Sequence, residues 1–525
     1  MKNITKKIIS STLLSSIFFT TACGSTGEVP TLMNFRNNDA TAVVAMIDAI
    51  PEATLETEAS VEAAYAAYCA LEDNSQTQVT NFERLKTLRD EIADLYEVKL
   101  DGSRVDRSKI LIGSYNLKYF EEEDIQDLVD CNIDFMTGVH DLSALDILEK
   151  HNIGAFTDCW VLGIRHWRGN PRYHGVEEYA PFGEEEFKAS MPELSTFDHN
   201  ALWGIWLVDE PNSQDFAFHE MQRSAMQEKY PNLLSYINLY ADVAGDRLGI
   251  PSNAREYDEL DYQEYMDLYV ETVDSDYICY DHYMYREGGH VQLDLTTKEL
   301  MVIAKACREN NREFWMWLQA NFPADDGTSI SLNQMRFQAN VLMAFGGTGM
   351  IWGCWAPGWY YQNILDNEGN KTQQYDKLKV VNAETKELSP VIIKYKSIDN
   401  SVIGGKHPNM AYFYKYDDNY IDQNVFVDMK VKDSELSGES VLCGYFEKKI
   451  GDGSAMMFVN ITDETCRERE IWEELEPSIV KFKISAENAV VTEHTAHGSY
   501  ILKPDADGYY KVSVENAAYS FVTVE

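Results

Sequence analysis

From residue 110 to residue 388, short uninterrupted apolar runs alternate with stretches whose apolar residues recur every three or four positions. The runs cover 110–115, 133–139, 153–160, the stretch opening at Leu202, 233–240, 277–283, 314–320 and 349–355. A run too apolar to alternate reads as a strand buried on both faces, whereas a 3.6-residue period reads as a helix with one buried stripe. The periodic stretches predict helices over 121–131, 142–151, 216–229, 262–273, 297–310, 332–345 and 375–388. Between the third and fourth strands stands an aromatic and polar insertion, 161–200, with Trp167, Arg168, Tyr173 and His174, expected to shape one side of a cleft. Alternating strands and helices demand a parallel sheet with right-handed crossovers, and eight such units in one chain predict a closed (β/α)8 barrel, here over 105–395.

The pattern differs on both sides of this region. Upstream, Val43, Met46, Ile47 and Ile50, then Ala63, Ala64, Ala67 and Cys69, then Phe82, Leu85, Leu88, Ile92 and Leu95 predict a three-helix module over 41–100. The stretch MIDAIPEATLETEASVEAAYAAYCAL resembles helical modules repeated in surface proteins of Gram-positive bacteria. Beyond Pro390 the alternation stops. Short strand-like runs at 410–416, 441–447, 455–459, 479–484, 489–494 and 509–514, broken by Gly, Asp and Asn, predict a small all-β sandwich over 396–525 whose expected role is to brace the barrel.

The amino terminus supplies an address. Lys2, Lys6 and Lys7, an apolar run over 8–19 and the small residues before Cys23 have the layout of a secretory signal too short to span a membrane. Thr20-Thr21-Ala22-Cys23 resembles the lipobox of bacterial lipoproteins. That resemblance implies a signal over 1–22, a lipid anchor on Cys23, a flexible tether over 23–40 and an extracytoplasmic, membrane-anchored protein. A net charge of -41, from 86 acidic and 45 basic residues without a basic stripe, argues against a nucleic-acid partner. The other cysteines show no paired spacing, so they read as free thiols rather than a zinc site or a disulfide framework. No obligate protein partner is evident.

Chemistry in such a barrel sits at the carboxyl ends of its strands. The run LWGIWLVDEP ends there in Asp209 and Glu210. The other ends supply Tyr115 and Asn116, His140 and Asp141, Asp158 and Trp160, Asn238, Tyr240 and Asp242, and Asp281, His282 and Tyr283. Gln319 and Asn321 follow, then Trp352, Trp355 and Trp359. Carboxylates, amides and aromatic rings on one rim suit a carbohydrate, whose apolar faces stack on rings and whose hydroxyls bond to acids and amides. Asp158, Trp160, Asn238, Tyr240, His282, Tyr283, Gln319, Trp352, Trp355 and Trp359 are therefore expected to bind substrate. Glycoside cleavage needs two carboxyl groups; Glu210 is the leading acid, Asp281 the leading partner and Asp209 the third candidate. An Asp-Glu-Pro sequence also suits a helix start, but its place after the fourth of eight strands favours catalysis. No glycine-rich cradle indicates a nucleotide cofactor. His140, and His282 with Asp281, lack diagnostic metal spacing, so no metal is expected.

The segments WGIWLVDEPN, SYINLYADV, DSDYICYDHYMY, FWMWLQANF and RFQANVLMAFGGTGMIWGCWAP resemble the barrel of glycoside hydrolases related to family 42 and the wider clan A, over most of 110–359. GYFEKKIGDGSAMMFVNIT resembles the small β-domain that follows such barrels. The resemblance implies a general acid/base Glu after strand four, a place taken by Glu210, with Asp209 where an Asn is usual. It also implies a nucleophilic Glu after strand seven. There this chain has Gln319, whose amide cannot form a glycosyl ester, and Glu313 lies at the other end of the strand. Three expectations follow: a hydrolase in which Asp281 is the second carboxylate; a substrate-assisted enzyme like hexosaminidases, using Asp209 and Glu210 alone; or a glycan-binding lipoprotein without catalysis. The second requires a bend after Asp209, because neighbouring strand residues point to opposite faces.

Overall fold

The computed structural model describes residues 39–97, 103–165, 183–249, 261–416, 425–431, 439–466 and 475–525. The expected signal, Cys23, and Trp167, Arg168, Tyr173 and His174 lie outside the described residues. The chain falls into two compact units, Met1–Glu91 and Ile92–Glu525. The first holds α1 (Ala40–Asp48), α2 (Glu58–Cys69), α3 (Asp73–Gln76) and the start of α4 (Phe82–Asp94). The Asp39 carboxylate caps α1 by accepting from the amide of Ala42, and Arg84 donates to the carbonyls of Ile47 and Ile50 at its far end. Val43, Ile47, Val61, Ala64, Leu85 and Leu88 form the core, with Tyr68 stacked on Phe82 at 3.8 Å. The one-turn α3 lies in the polar stretch where only a connection was expected.

The second unit is built on eight parallel strands: β1 (Leu111–Tyr115), β2 (Phe135–Thr137), β3 (Gly154–Asp158), β4 (Leu202–Asp209), β5 (Leu234–Asn238), β6 (Tyr277–Asp281), β7 (Glu313–Gln319) and β8 (Gly347–Gly353). Each is followed by a helix: α5 (Glu122–Asp130), α6 (Leu145–Lys150), α7 (Glu184–Ser190), α8 (Phe216–Lys229), α9 (Tyr262–Thr272), α10 (Leu293–Asn310), α11 (Leu332–Ala344) and α12 (Gln373–Ile392). Strand order β5-β4-β3-β2-β1-β8-β7-β6 brings the two chain ends of the sheet together as a (β/α)8 barrel. The seam between β5 and β6 is closed by a bridge at Leu239 and Tyr280 and by a side chain. The Tyr277 hydroxyl donates to the Ser235 carbonyl (3.0 Å) and accepts from the Ile237 amide (2.8 Å), standing in for a ladder bond.

Strand parity divides the core in two. Ile112, Met136, Leu202, Ile205, Met316, Leu318 and Met350 face the helices, while Leu111, Phe135, Phe156, Trp203, Tyr236, Tyr277, Trp315 and Ile351 fill the barrel. So many rings fit only where the opposing residue has no side chain. A Cβ on Gly154 would stand 2.1 Å from Trp203, and one on Gly349 2.5 Å from Trp315.

Beyond the barrel, β9 (Tyr395–Gly404), β11 (Ser440–Lys448), β12 (Ser454–Asn460), β14 (Val491–Thr495), β15 (Gly498–Ile501) and β17 (Tyr519–Val524) form an antiparallel sheet. A smaller sheet of β10 (Phe426–Val431), β13 (Ser478–Ile484) and β16 (Tyr510–Val514) packs on it through Phe458, Phe482, Tyr445 and Val522. The other face of the large sheet, with Leu442, Phe446, Met457 and Phe521, joins the outer core of the barrel. Backbones touch there: a Cβ on Gly444 would lie 2.1 Å from the Ala344 carbonyl oxygen. One expected strand is corrected. Within 410–416 the chain forms α13 (Ala411–Tyr416), because Met410 and Phe413, one turn apart, are the buried pair, and the amide of Tyr412 donates to Asp294 on α10 (2.7 Å).

Candidate active site

At the carboxyl end of the barrel lies a cleft of about 480 Å³. Trp206 and Trp317 floor it one layer above the barrel filling, with Tyr115, Trp359, Tyr283 and Tyr360 around them. Ring centroids stand 5.6 Å apart for Trp206 and Trp317, 5.9 Å for Tyr115 and Trp206, and 5.7 Å for Trp317 and Trp359. Into this aromatic bowl project three carboxylates, Asp209, Glu210 and Asp281.

Two backbone irregularities put the first two on one side. The β4–β5 register shifts between Trp206 and Val208. Then Glu210 takes a left-handed conformation with φ of +51°, which costs a non-glycine residue about 1–2 kcal/mol. Its amide donates to the Asn238 carbonyl at 2.8 Å, which holds the turn. The bend that a shared Asp209-Glu210 site requires is thus present, and both residues line the cleft. Asn238, ending β5, joins the third acid: its Nδ2 donates to Asp209 Oδ1 (3.1 Å) and Asp281 Oδ1 (2.8 Å). Beneath it, Trp317 donates to the Tyr236 hydroxyl at 2.7 Å, and that hydroxyl meets Cys279 Sγ at 3.0 Å.

Crowding acids in a partly buried cleft makes them hold protons. Burial, then the charges of Asp281 and Asp209, push Glu210 up to about 8 against the opposing pull of Arg247. Burial and the Asp209 charge likewise push Asp281 up to about 7, although its bond from Asn238 favours the ionised form. Both therefore hold their protons to higher pH than free carboxyl groups do. A proton kept near neutrality is what general acid chemistry needs.

His282 also lines the cleft, but its ring nitrogens are occupied, Nδ1 with Glu299 Oε2 at 2.5 Å and Nε2 with Gln292 Oε1 at 3.1 Å. Neither is left for a sugar hydroxyl. Burial alone would depress the imidazole, and the Glu299 carboxylate outweighs it to raise its proton affinity. Glu299 Oε1 in turn accepts from the Asp242 amide at 2.7 Å, tying α10 to the loop after β5.

Of the other expected contacts, Asn238, Tyr240, Tyr283 and Trp359 line the cleft. Five do not. Asp158 pairs with His140 Nε2 at 2.7 Å, and Trp160, 45% exposed, stands against that imidazole at 5.1 Å, outside the cleft lining. Gln319 is fully buried. Its amide grips the main chain of Tyr285 (3.0 and 2.9 Å), so the end of strand seven presents no nucleophile and Gln319 makes no sugar contact. Trp352 faces outward because Ile351 faces the barrel, and its indole donates to Asn382 on α12 at 3.0 Å. Trp355 is buried against Tyr375. Trp206, Trp317, Tyr360, Arg247 and Arg286 line the cleft without having been expected there. Strand parity counted back from Gln319 points to Trp317; the loop residues Arg247, Arg286 and Tyr360 carry no local signal. Among the described residues no three His, Cys, Asp or Glu side chains are set to hold a metal ion.

No family model matches the chain, and no curated protein matches it significantly. Among solved structures it is similar to a family 39 glycoside hydrolase from the gut symbiont Bacteroides cellulosilyticus WH2, with 11% identity over 80% of this chain and 82% of that one and a TM-score of 0.43. It is also similar to a GH42 beta-galactosidase from G. stearothermophilus (8% identity, 82% and 100% covered, TM-score 0.49). A third is the endo-beta-1,4-mannanase from Thermotoga petrophila (9% identity, 78% and 91% covered, TM-score 0.35). The barrel itself rests on the chain's own strand order, and the chemistry on its own side chains.

Proposed function

We propose that this chain is a glycoside hydrolase that cleaves O-glycosidic bonds of an oligo- or polysaccharide at the bacterial cell surface, with Glu210 as general acid/base. The observation that carries this reading is the convergence of Asp209, Glu210 and Asp281 in an aromatic cleft, two of them with proton affinities raised toward neutrality. Glu210, protonated, delivers its proton to the leaving oxygen. Asp281, ionised and steadied by Asn238, attacks the anomeric carbon or activates a water. Trp206, Trp317 and Trp359 offer faces on which a sugar ring stacks. The surface address rests on the signal-like amino terminus and Cys23.

A second reading has its own support. Because the left-handed turn at Glu210 brings Asp209 and Glu210 into one cleft, and Asn238 holds Asp209, Asp209 could orient a substrate acetamido group while Glu210 acts as the acid. Incubating wild type and Glu210→Gln with aryl-glycosides and plant, host and microbial glycans tests the proposal. Hydrolysis that falls about 10²- to 10⁴-fold in the variant supports it. Sugar binding by wild type without turnover of any substrate leaves only the binding-protein reading. A requirement for N-acetyl substrates would select the substrate-assisted route, and a covalent adduct on Asp281 would select the other. Palmitate labelling lost in Cys23→Ser checks the anchor.

A further inference from the structure

Among the described residues, Arg286 is a cation that pairs with no acid. It follows β6, lines the same cleft as Glu210 and is only half-buried. Its Nε donates to Gln292 Oε1 at 2.8 Å and its Nη1 makes a long contact with the Tyr360 hydroxyl at 3.4 Å, both neutral partners. Nη2 donates to nothing among the described residues, and no ion pair of Arg286 is found among them. In a chain with 86 acidic and 45 basic residues, a cleft guanidinium that forms no ion pair among the described residues needs a reason.

Its orientation is enforced from below. A guanidinium can only donate, so the Gln292 atom facing it must be the carbonyl oxygen. The same oxygen meets His282 Nε2 at 3.1 Å, which must therefore also donate, while His282 Nδ1 is held by Glu299 at 2.5 Å. A chain from buried Glu299 and His282 to half-buried Gln292 thus orients Arg286 before any ligand arrives. Such preorganisation reduces the ordering cost of binding, and a planar fork with free N–H groups matches an oxyanion. Arg247, on the loop after β5, lines the same cleft and adds positive potential.

Resting on the hydrolase reading above, we propose that Arg286 receives a negatively charged substituent of the sugar, a carboxylate or a sulfate ester, and that the substrates of this site are acidic glycans. His282, Gln292 and Glu299 position that arginine rather than touch substrate.

The test uses the full chain carrying Glu210→Gln, so that ligands bind without being consumed. Titration calorimetry compares galacturonate and glucuronate oligosaccharides, their methyl esters, sulfated galactan and chondroitin fragments, and neutral gluco-, manno- and galacto-oligosaccharides. An acid is expected to bind about 10- to 100-fold more tightly than its own methyl ester. Adding Arg286→Met should abolish that preference, and Arg286→Lys should keep part of it. Tighter binding of the sulfated than of the carboxylated fragments would identify sulfate as the substituent. Thermal melts of each variant establish that it is folded, and an Arg286→Met chain that fails to fold leaves Arg286→Lys and the acid-to-ester ratio of the parent to decide. Acid and ester binding alike, while wild type cleaves neutral glycans, overturns this proposal and leaves the hydrolase standing. No binding of any glycan overturns both.

Discussion

Asn238→Leu is the substitution that interrogates the carboxylate cluster most directly. One amide nitrogen serves two acids, at 3.1 Å to Asp209 and 2.8 Å to Asp281, and it favours the ionised form of Asp281. Leucine keeps the fork at Cγ and the number of heavy atoms, with bulkier ends. Asn238 Oδ1 has no hydrogen-bond partner among the described residues, so nothing is lost on that side. A hydrogen bond to a charged group is worth about 1.5–3 kcal/mol, and each pH unit corresponds to about 1.4 kcal/mol. Asp281, already raised to about 7, should therefore rise by a further 1–2 units, roughly, when the bond is removed. If Asp281 must be ionised while Glu210 is protonated, the acid limb of the kcat/KM profile moves to higher pH by that amount. The bell narrows and its peak falls, because the required combination becomes a minority state. The assay is the pH dependence of kcat/KM between pH 4 and pH 10 on the best substrate, with circular dichroism to confirm the fold. An acid limb that stays in place would remove Asp281 from the mechanism and leave Asp209 as the partner of Glu210.

Three further outcomes follow from the same geometry. Folding raises the Glu210 pKa from 4.5 to about 8, so the folded state holds a proton that the unfolded chain releases, and stability falls as pH rises across that interval. Glu210→Gln should raise the melting temperature more at pH 8.5 than at pH 5, and an equal or reversed gap would contradict this. Tyr277→Phe strips the β5–β6 seam of the two bonds made by the hydroxyl, leaving the Ser235 carbonyl and Ile237 amide buried and unpaired; it should cost about 2–4 kcal/mol in denaturant unfolding. A loss below about 1 kcal/mol would mean that the seam does not depend on the hydroxyl. Trp359→Ala removes one wall of the bowl and should raise KM about tenfold with kcat nearly unchanged, the signature of uniform binding. A fall in kcat alone would place that ring nearer the reacting atoms.

What the sequence by itself determined is the part carried by local period. Uninterrupted apolar runs became β1 to β8, apolar stripes became the helices between them, and the count of eight units implied a barrel before any contact was known. Glu210 was legible because an apolar run that stops at Asp-Glu-Pro must end its strand there. Faces and partners were decided only by tertiary structure. An apolar strand does not reveal which of its alternating residues look inward; closure of the barrel turned Ile351 in and Trp352 out, and the loop after β6 took up the Gln319 amide. The run over 410–416 misled for the same reason, since burial against α10 rather than local pattern made it a helix. Nor does the chain announce that Asp209, Asn238 and Asp281, from three strands, share one amide nitrogen. The chemistry follows from that meeting, because a carboxyl group keeps its proton near neutrality only when burial and neighbouring charges, brought in from elsewhere in the chain, make ionisation costly.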